Sequence, residues 1–183
     1  DAPGVLVIES DAGAGKSTML RFGSDANRRD MTRFDGGFTV LNVHQVGDAT
    51  FSGTVAATAV VIDAGTAASE NSTATFSSSL AVATLTIQAD AANNTTGSAT
   101  VVGNLTASGV VTLTAANSAA ATLELQGTTN SAASVALDTD TGVATLTLNA
   151  TNGVMAFTGT IDGASATEGV LVVKDDDADA AGH

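Results

Sequence analysis

Cysteine, tryptophan and tyrosine are absent from this 183-residue sequence, and proline occurs once, at Pro3. Without cysteine there is neither a disulfide nor a thiolate metal site, although the compartment stays open because large extracellular repeats often manage without it. Without Trp or Tyr the usual stacking platforms for sugar rings are missing, which leaves only six Phe for that purpose. Cations are scarce as well. Nineteen acidic residues face six basic ones, giving a formal net charge of -13, and no Lys or Arg occurs between Phe34 and Val173. Phosphate recognition depends on cations that displace counterions, so the body of the chain argues against nucleic acid and against an anionic membrane surface as partners. No apolar run approaches the roughly 18 residues of a spanning helix, so no membrane insertion is expected. The first residue is Asp1 and not Met, with no signal peptide after it, which reads as a processed product or an excerpt that has lost any targeting signal.

What remains is mostly Ala, Thr, Gly, Ser and Val. Such side chains bury little area each, at roughly 25 cal/mol per Å² of apolar surface, so a compact globule built from them would be weakly held. Closely stacked strands or intertwined subunits suit this composition better. The sequence indeed repeats itself. Ala49 to Val55 (ATFSGTV) returns as Ala74 to Leu80 (ATFSSSL) and as Ala99 to Leu105 (ATVVGNL), at a spacing of 25 residues. Each copy is followed by a second strand-like run: Ala59 to Ile62, Thr84 to Ile87, Val110 to Leu113. A period of this size marks stacked supersecondary units, each covering an apolar face that its neighbour leaves bare.

The repeats divide the chain into four parts. Residues 1–46 form an N-terminal strand segment with a charged loop, 47–120 hold the three repeats, 121–174 hold diverged repeats, and 175–183 form an acidic tail or linker. Ala121 to Gln126 and Val143 to Leu148 alternate apolar and polar residues as half-buried strands do. Phe157-Thr158-Gly159-Thr160-Ile161 reads as a diverged fourth copy of Phe51-Ser52-Gly53-Thr54-Val55. Gly169 to Val173 is similar to Gly4 to Ile8. Nowhere do apolar residues hold helical spacing over three turns, and β-branched residues dominate the periodic runs. The expected fold is all-β with almost no helix: repetitive stacked strands, as a single-chain β-helix or solenoid, or as a β shaft interwoven from several chains. Ladders of Thr, Ser and Asn at equivalent positions are expected to satisfy the polar atoms.

Few motifs suggest chemistry. Ser10 to Thr18 (SDAGAGKST) follows a hydrophobic strand as a phosphate-binding loop would, and Val60-Val61-Ile62-Asp63 imitates the acidic strand that assists Mg²⁺. Yet Ser10 stands where the first glycine is needed, and the following helix would end after six residues at Gly23. Asp138 and Asp140 are the best candidates for oxygen ligands to Ca²⁺, ahead of Asp175, Asp176, Asp177 and Asp179, but neither cluster has the full calcium loop. Without a bound ion each is a solvated turn or tail. His44 and His183 lack an evident catalytic partner. Arg21, Arg28, Arg29 and Arg33 lie among Asp25, Asp30 and Asp35, where internal pairing competes with partner binding. Sequons at Asn71, Asn93, Asn94, Asn104 and Asn149 are what chance gives in so Asn- and Thr-rich a chain.

Three stretches, Met19 to Asn27, Asp30 to Val43 and Val46 to Val55, resemble the β-strand repeats of bacteriophage tail-fibre and other virion shaft proteins, and Val102 to Val110 (VGNLTASGV) looks like one of their units. Gly159 to Gly169 looks like segments of bacterial surface β-repeat proteins and autotransporter passengers. The first resemblance implies a non-enzymatic structural role: a fibre-shaft or decoration component of a virion or extracellular appendage that self-associates into a homo-oligomer or fibre and supports attachment to a host-surface receptor or glycan. The alternative is a bacterial cell-surface adhesin or surface-layer module binding glycans or calcium. Either implies a virion, extracellular or cell-surface location, with no catalytic residues and no cofactor apart from a possible calcium ion.

Overall fold

The computed structural model describes residues 4–9, 19–22, 38–44, 48–64, 71–89, 95–139, 141–151, 153–163 and 168–175. Among them no helix occurs, and the strands in chain order are β1 (Gly4–Glu9), β2 (Met19–Phe22), β3 (Phe38–His44), β4 (Asp48–Phe51), β5 (Val55–Ala64), β6 (Ser72–Phe76), β7 (Leu80–Ala89), β8 (Thr96–Val101), β9 (Leu105–Ala107), β10 (Val110–Ala115), β11 (Ala120–Leu125), β12 (Thr129–Thr139), β13 (Val143–Ala150), β14 (Ala156–Gly163) and β15 (Val170–Asp175). They form two parallel sheets. Sheet I runs β1-β3-β5-β7-β10-β12-β14, with the short β9 between β7 and β12, and sheet II runs β15-β13-β11-β8-β6-β4-β2. The chain alternates between the sheets and climbs one level at each pass, which makes the protein a β-solenoid.

The 25-residue period is the rise of one tier. Ala49 lies across from Ala74 and Ala74 across from Ala99, so like residues stack on like. The tripeptide that follows each first strand is a corner, not a continuation of the strand: Ser52-Gly53-Thr54 separates β4 from β5. Corners are tied tier to tier by backbone bonds, as Ser77 N–H donates to Phe51 C=O at 2.8 Å and Val102 N–H to Phe76 C=O at 2.9 Å. A second bend divides the long strands of sheet I. Val55, Ala56 and Ala57 pair with Leu80, Ala81 and Val82, pairing skips Thr58 and Ala83, and it resumes at Ala59 with Thr84.

Alternation sends every second residue inward, and stacking turns those positions into ladders. In sheet I, Leu41, Val60, Leu85, Val111 and Val135 form one ladder, each fully buried. In sheet II, Phe51 and Phe76 stack with ring centroids 5.0 Å apart and planes 10° from parallel, and Val101 and Leu125 continue the column. Burying a side chain of this size stabilises by about 1.5–3 kcal/mol. Outward positions carry Thr50, Thr75, Thr100, Glu124 and Thr147 in one line. The expected polar ladders are present: Asn71 Oδ1 accepts from Thr96 N–H at 2.7 Å and Asn104 Oδ1 from Thr129 N–H at 3.1 Å, each spanning 25 residues. Ser98 Oγ donates to Thr73 Oγ1 at 3.2 Å across the same interval.

One sequence expectation is corrected. Phe157 to Ile161 does not restate Phe51 to Val55. It lies in β14 of sheet I, with Phe157 across from Asn130 and Ile161 across from Val135, whereas Phe51 belongs to sheet II. Gly4 to Ile8 lie in β1 of sheet I, and Val170 to Val173, from the stretch alike in sequence, lie in β15 of sheet II.

Candidate functional site

Only some of the positions that suggested chemistry lie among the described residues. Asp138 is exposed near the end of β12, and its in-register neighbour is Thr114, not a second carboxylate. Asp140 lies outside the described residues. Among those residues, no three His, Asp or Glu side chains gather as a metal site would require. Asp175 closes β15, while Asp176, Asp177 and Asp179 lie outside the described residues, as do Ser10 to Thr18 with Lys16, Arg28, Arg29, Arg33 and His183. The strand that precedes Ser10 to Thr18 in the sequence, β1, is an edge strand of sheet I. Asp63, the imitation of a Mg²⁺-assisting carboxylate, is half-buried in β5, and its backbone carbonyl accepts the Ser72 hydroxyl at 2.6 Å. His44 is placed by its backbone only, across from Asp63 and Glu9. Arg21 in β2 stands across from Thr50.

A polar cluster that sequence reasoning missed sits on the outer side of sheet II. Glu124 Oε1 accepts from Gln126 Nε2 at 2.6 Å and from Asn149 Nδ2 at 3.0 Å, 25 residues away. Asn149 is buried, and its Oδ1 has no hydrogen-bond partner among the described residues. The signal was present, because Glu124 interrupts the run of threonines at equivalent positions of successive tiers. The geometry suits an internal strut: one carboxylate oxygen ties β11 to the tier above. A second buried polar group, Asn130, replaces an aliphatic residue in the Val55, Leu80, Leu105 ladder. Its Oδ1 accepts from Leu105 N–H at 2.9 Å and its Nδ2 donates to Gly127 C=O at 2.7 Å.

The feature that departs most from the rest of the molecule is the C-terminal end of the stack. Leu171 and Val173 occupy inward positions, across from Leu146 and Leu148, yet they are 48% and 73% exposed. Beside them a cavity of about 230 Å³ is lined by Leu148, Ala150, Gly153, Met155, Phe157 and Val173, with Lys174 at its rim. Each lower tier is covered by the strands of the next.

Against this architecture, no protein-family model, no curated protein and no solved structure matches the chain.

Proposed function

We propose that this chain is a non-enzymatic structural protein, a shaft or decoration segment of a virion fibre or similar extracellular appendage that supports attachment. The supporting observation is the unbroken stacking of both seven-strand paths, with aliphatic ladders inside and threonine and serine ladders outside. Each tier touches only its neighbours, so stability adds along the axis and load passes through parallel strands and hydrogen-bonded corners. The outer surface offers hydroxyls and methyls in rows, and recognition of a receptor or glycan falls to exposed loops or to other parts of the appendage.

The test is shape and ion dependence. Small-angle scattering should report a rod, and the melting temperature should be the same in EGTA and in Ca²⁺. A saturable rise in melting temperature with Ca²⁺, lost in Asp138→Asn, would replace this reading with that of a calcium-binding surface adhesin.

A further inference from the structure

We propose that the C-terminal tier is a docking face for the N-terminal tier of a second copy of this chain, so that copies join head to tail with both sheets continuing across the junction. The inference rests on the shaft reading and adds its interface. Two independent observations carry it.

The first is the unroofed core. Leu171 and Val173 prolong ladders whose lower members, Leu123, Leu125 and Leu146, are 0–1% exposed, and Phe157, Ile161 and Met155 are only partly buried. The cavity beside Val173 lies where side chains of a further tier would enter. The second is strand bookkeeping. β14 and β15 are the edge strands at one end of the two sheets, and β1 and β2 are those at the other. A copy translated along the solenoid axis places its β1 on β14 within sheet I and its β2 on β15 within sheet II. Every pair stays parallel, and the alternation of sheets along the chain is kept. Unpaired edges of this kind are templates for strand addition, and a translational, self-propagating contact gives an open filament instead of a closed ring.

The register predicts a specific neighbour pair. Arg21, Thr50, Thr75, Thr100, Glu124, Thr147 and Val172 share one line across sheet II. In an added copy, Arg21 therefore stands across from Val172, at the roughly 4.8 Å of adjacent strands, within disulfide range. The chain has no cysteine to interfere. Arg21→Cys and Val172→Cys proteins are mixed under mild oxidation and resolved on non-reducing gels, beside light scattering of the unaltered chain over a concentration series. The expected result is a covalent dimer from the mixture but from neither variant alone, a mass that grows with concentration, and at least about tenfold weaker association in Val173→Lys, whose circular dichroism stays that of the unaltered protein. A dimer from Val172→Cys alone would show symmetric end pairing and overturn the proposal. So would a chain that stays monomeric at all concentrations, or one that associates only after residues 176–183 are removed, which would show that its own tail covers the end. A monomeric rod with Ca²⁺-independent melting would overturn this inference and leave the shaft reading standing.

Discussion

Replacing Phe76 by alanine probes the assignment of faces most directly. The Phe76 side chain is fully buried, stacks on Phe51 at 5.0 Å from below and lies across from Val101 above. Truncating a buried Phe costs about 3–5 kcal/mol, of which roughly 0.5–1.5 kcal/mol belongs to the aromatic pair. With a urea slope of about 2 kcal/mol per M, the unfolding midpoint should fall by about 2 M. Thr75→Ala on the same strand is the control. Thr75 points outward, so its change should stay within about 0.5 kcal/mol. Because a solenoid is held by nearest-neighbour contacts, hydrogen exchange in Phe76→Ala should accelerate in β4, β6 and β8 well before it does in β12. A Phe51→Ala, Phe76→Ala cycle should return a coupling of about 0.5–1.5 kcal/mol. If Phe76→Ala and Thr75→Ala cost the same, or if protection is lost evenly along the chain, the ladder description of the core is wrong.

Gly103 sits at a corner where an added Cβ would meet the Ser78 carbonyl carbon, and would lie 2.6 Å from both the Ser78 oxygen and the Ser79 nitrogen. Gly103→Ala should therefore cost about 1–3 kcal/mol by urea titration, whereas Ser131→Ala, on an outward position of β12, should be nearly silent. Asn130→Ala strips a buried N–H and a buried C=O of their partners and should lower stability by about 1–3 kcal/mol for each group left unpaired, measured the same way. Glu124→Ala should speed amide exchange at the β11 to β13 junction, and Glu124→Gln, which retains an acceptor oxygen, should largely restore it. The melting temperature of Asp138→Asn in Ca²⁺ should match that of the unaltered protein.

The repeating part of the fold was written plainly in the sequence. Where ATFSGTV recurs as ATFSSSL and ATVVGNL, identical residues meet across strands, and the period is the tier. Beyond residue 105 the interval drifts. Ala99 faces Leu123, Leu123 faces Leu146 and Leu146 faces Leu171, so residues are lost and regained in the turns while the strands keep their alternation. That drift explains the misplacement of Phe157. A period of two is the same in every strand of either sheet, so FTGTI and FSGTV look equivalent even though one lies along a strand and the other crosses a corner. The corner is legible only from its glycine, and Ser78 takes that place one tier above Gly53. The surroundings of Asp138 were illegible for a related reason. The stacking partner of Asp138 is set by register with Thr114, which local spacing between acidic residues does not encode. The Glu124 strut was overlooked because its partner, Asn149, is one tier away in space but 25 residues away in sequence.

Parallel in-register stacking also makes the molecule a ruler. Each repeat of 25 residues contributes one strand spacing of roughly 4.8 Å to the axis, and its two faces are nearly interchangeable with those of its neighbours. Duplication or loss of such a unit in the gene would lengthen or shorten the particle by a fixed step without redesigning any contact. Selection for reach can therefore act by copy number alone, independently of selection on the loops.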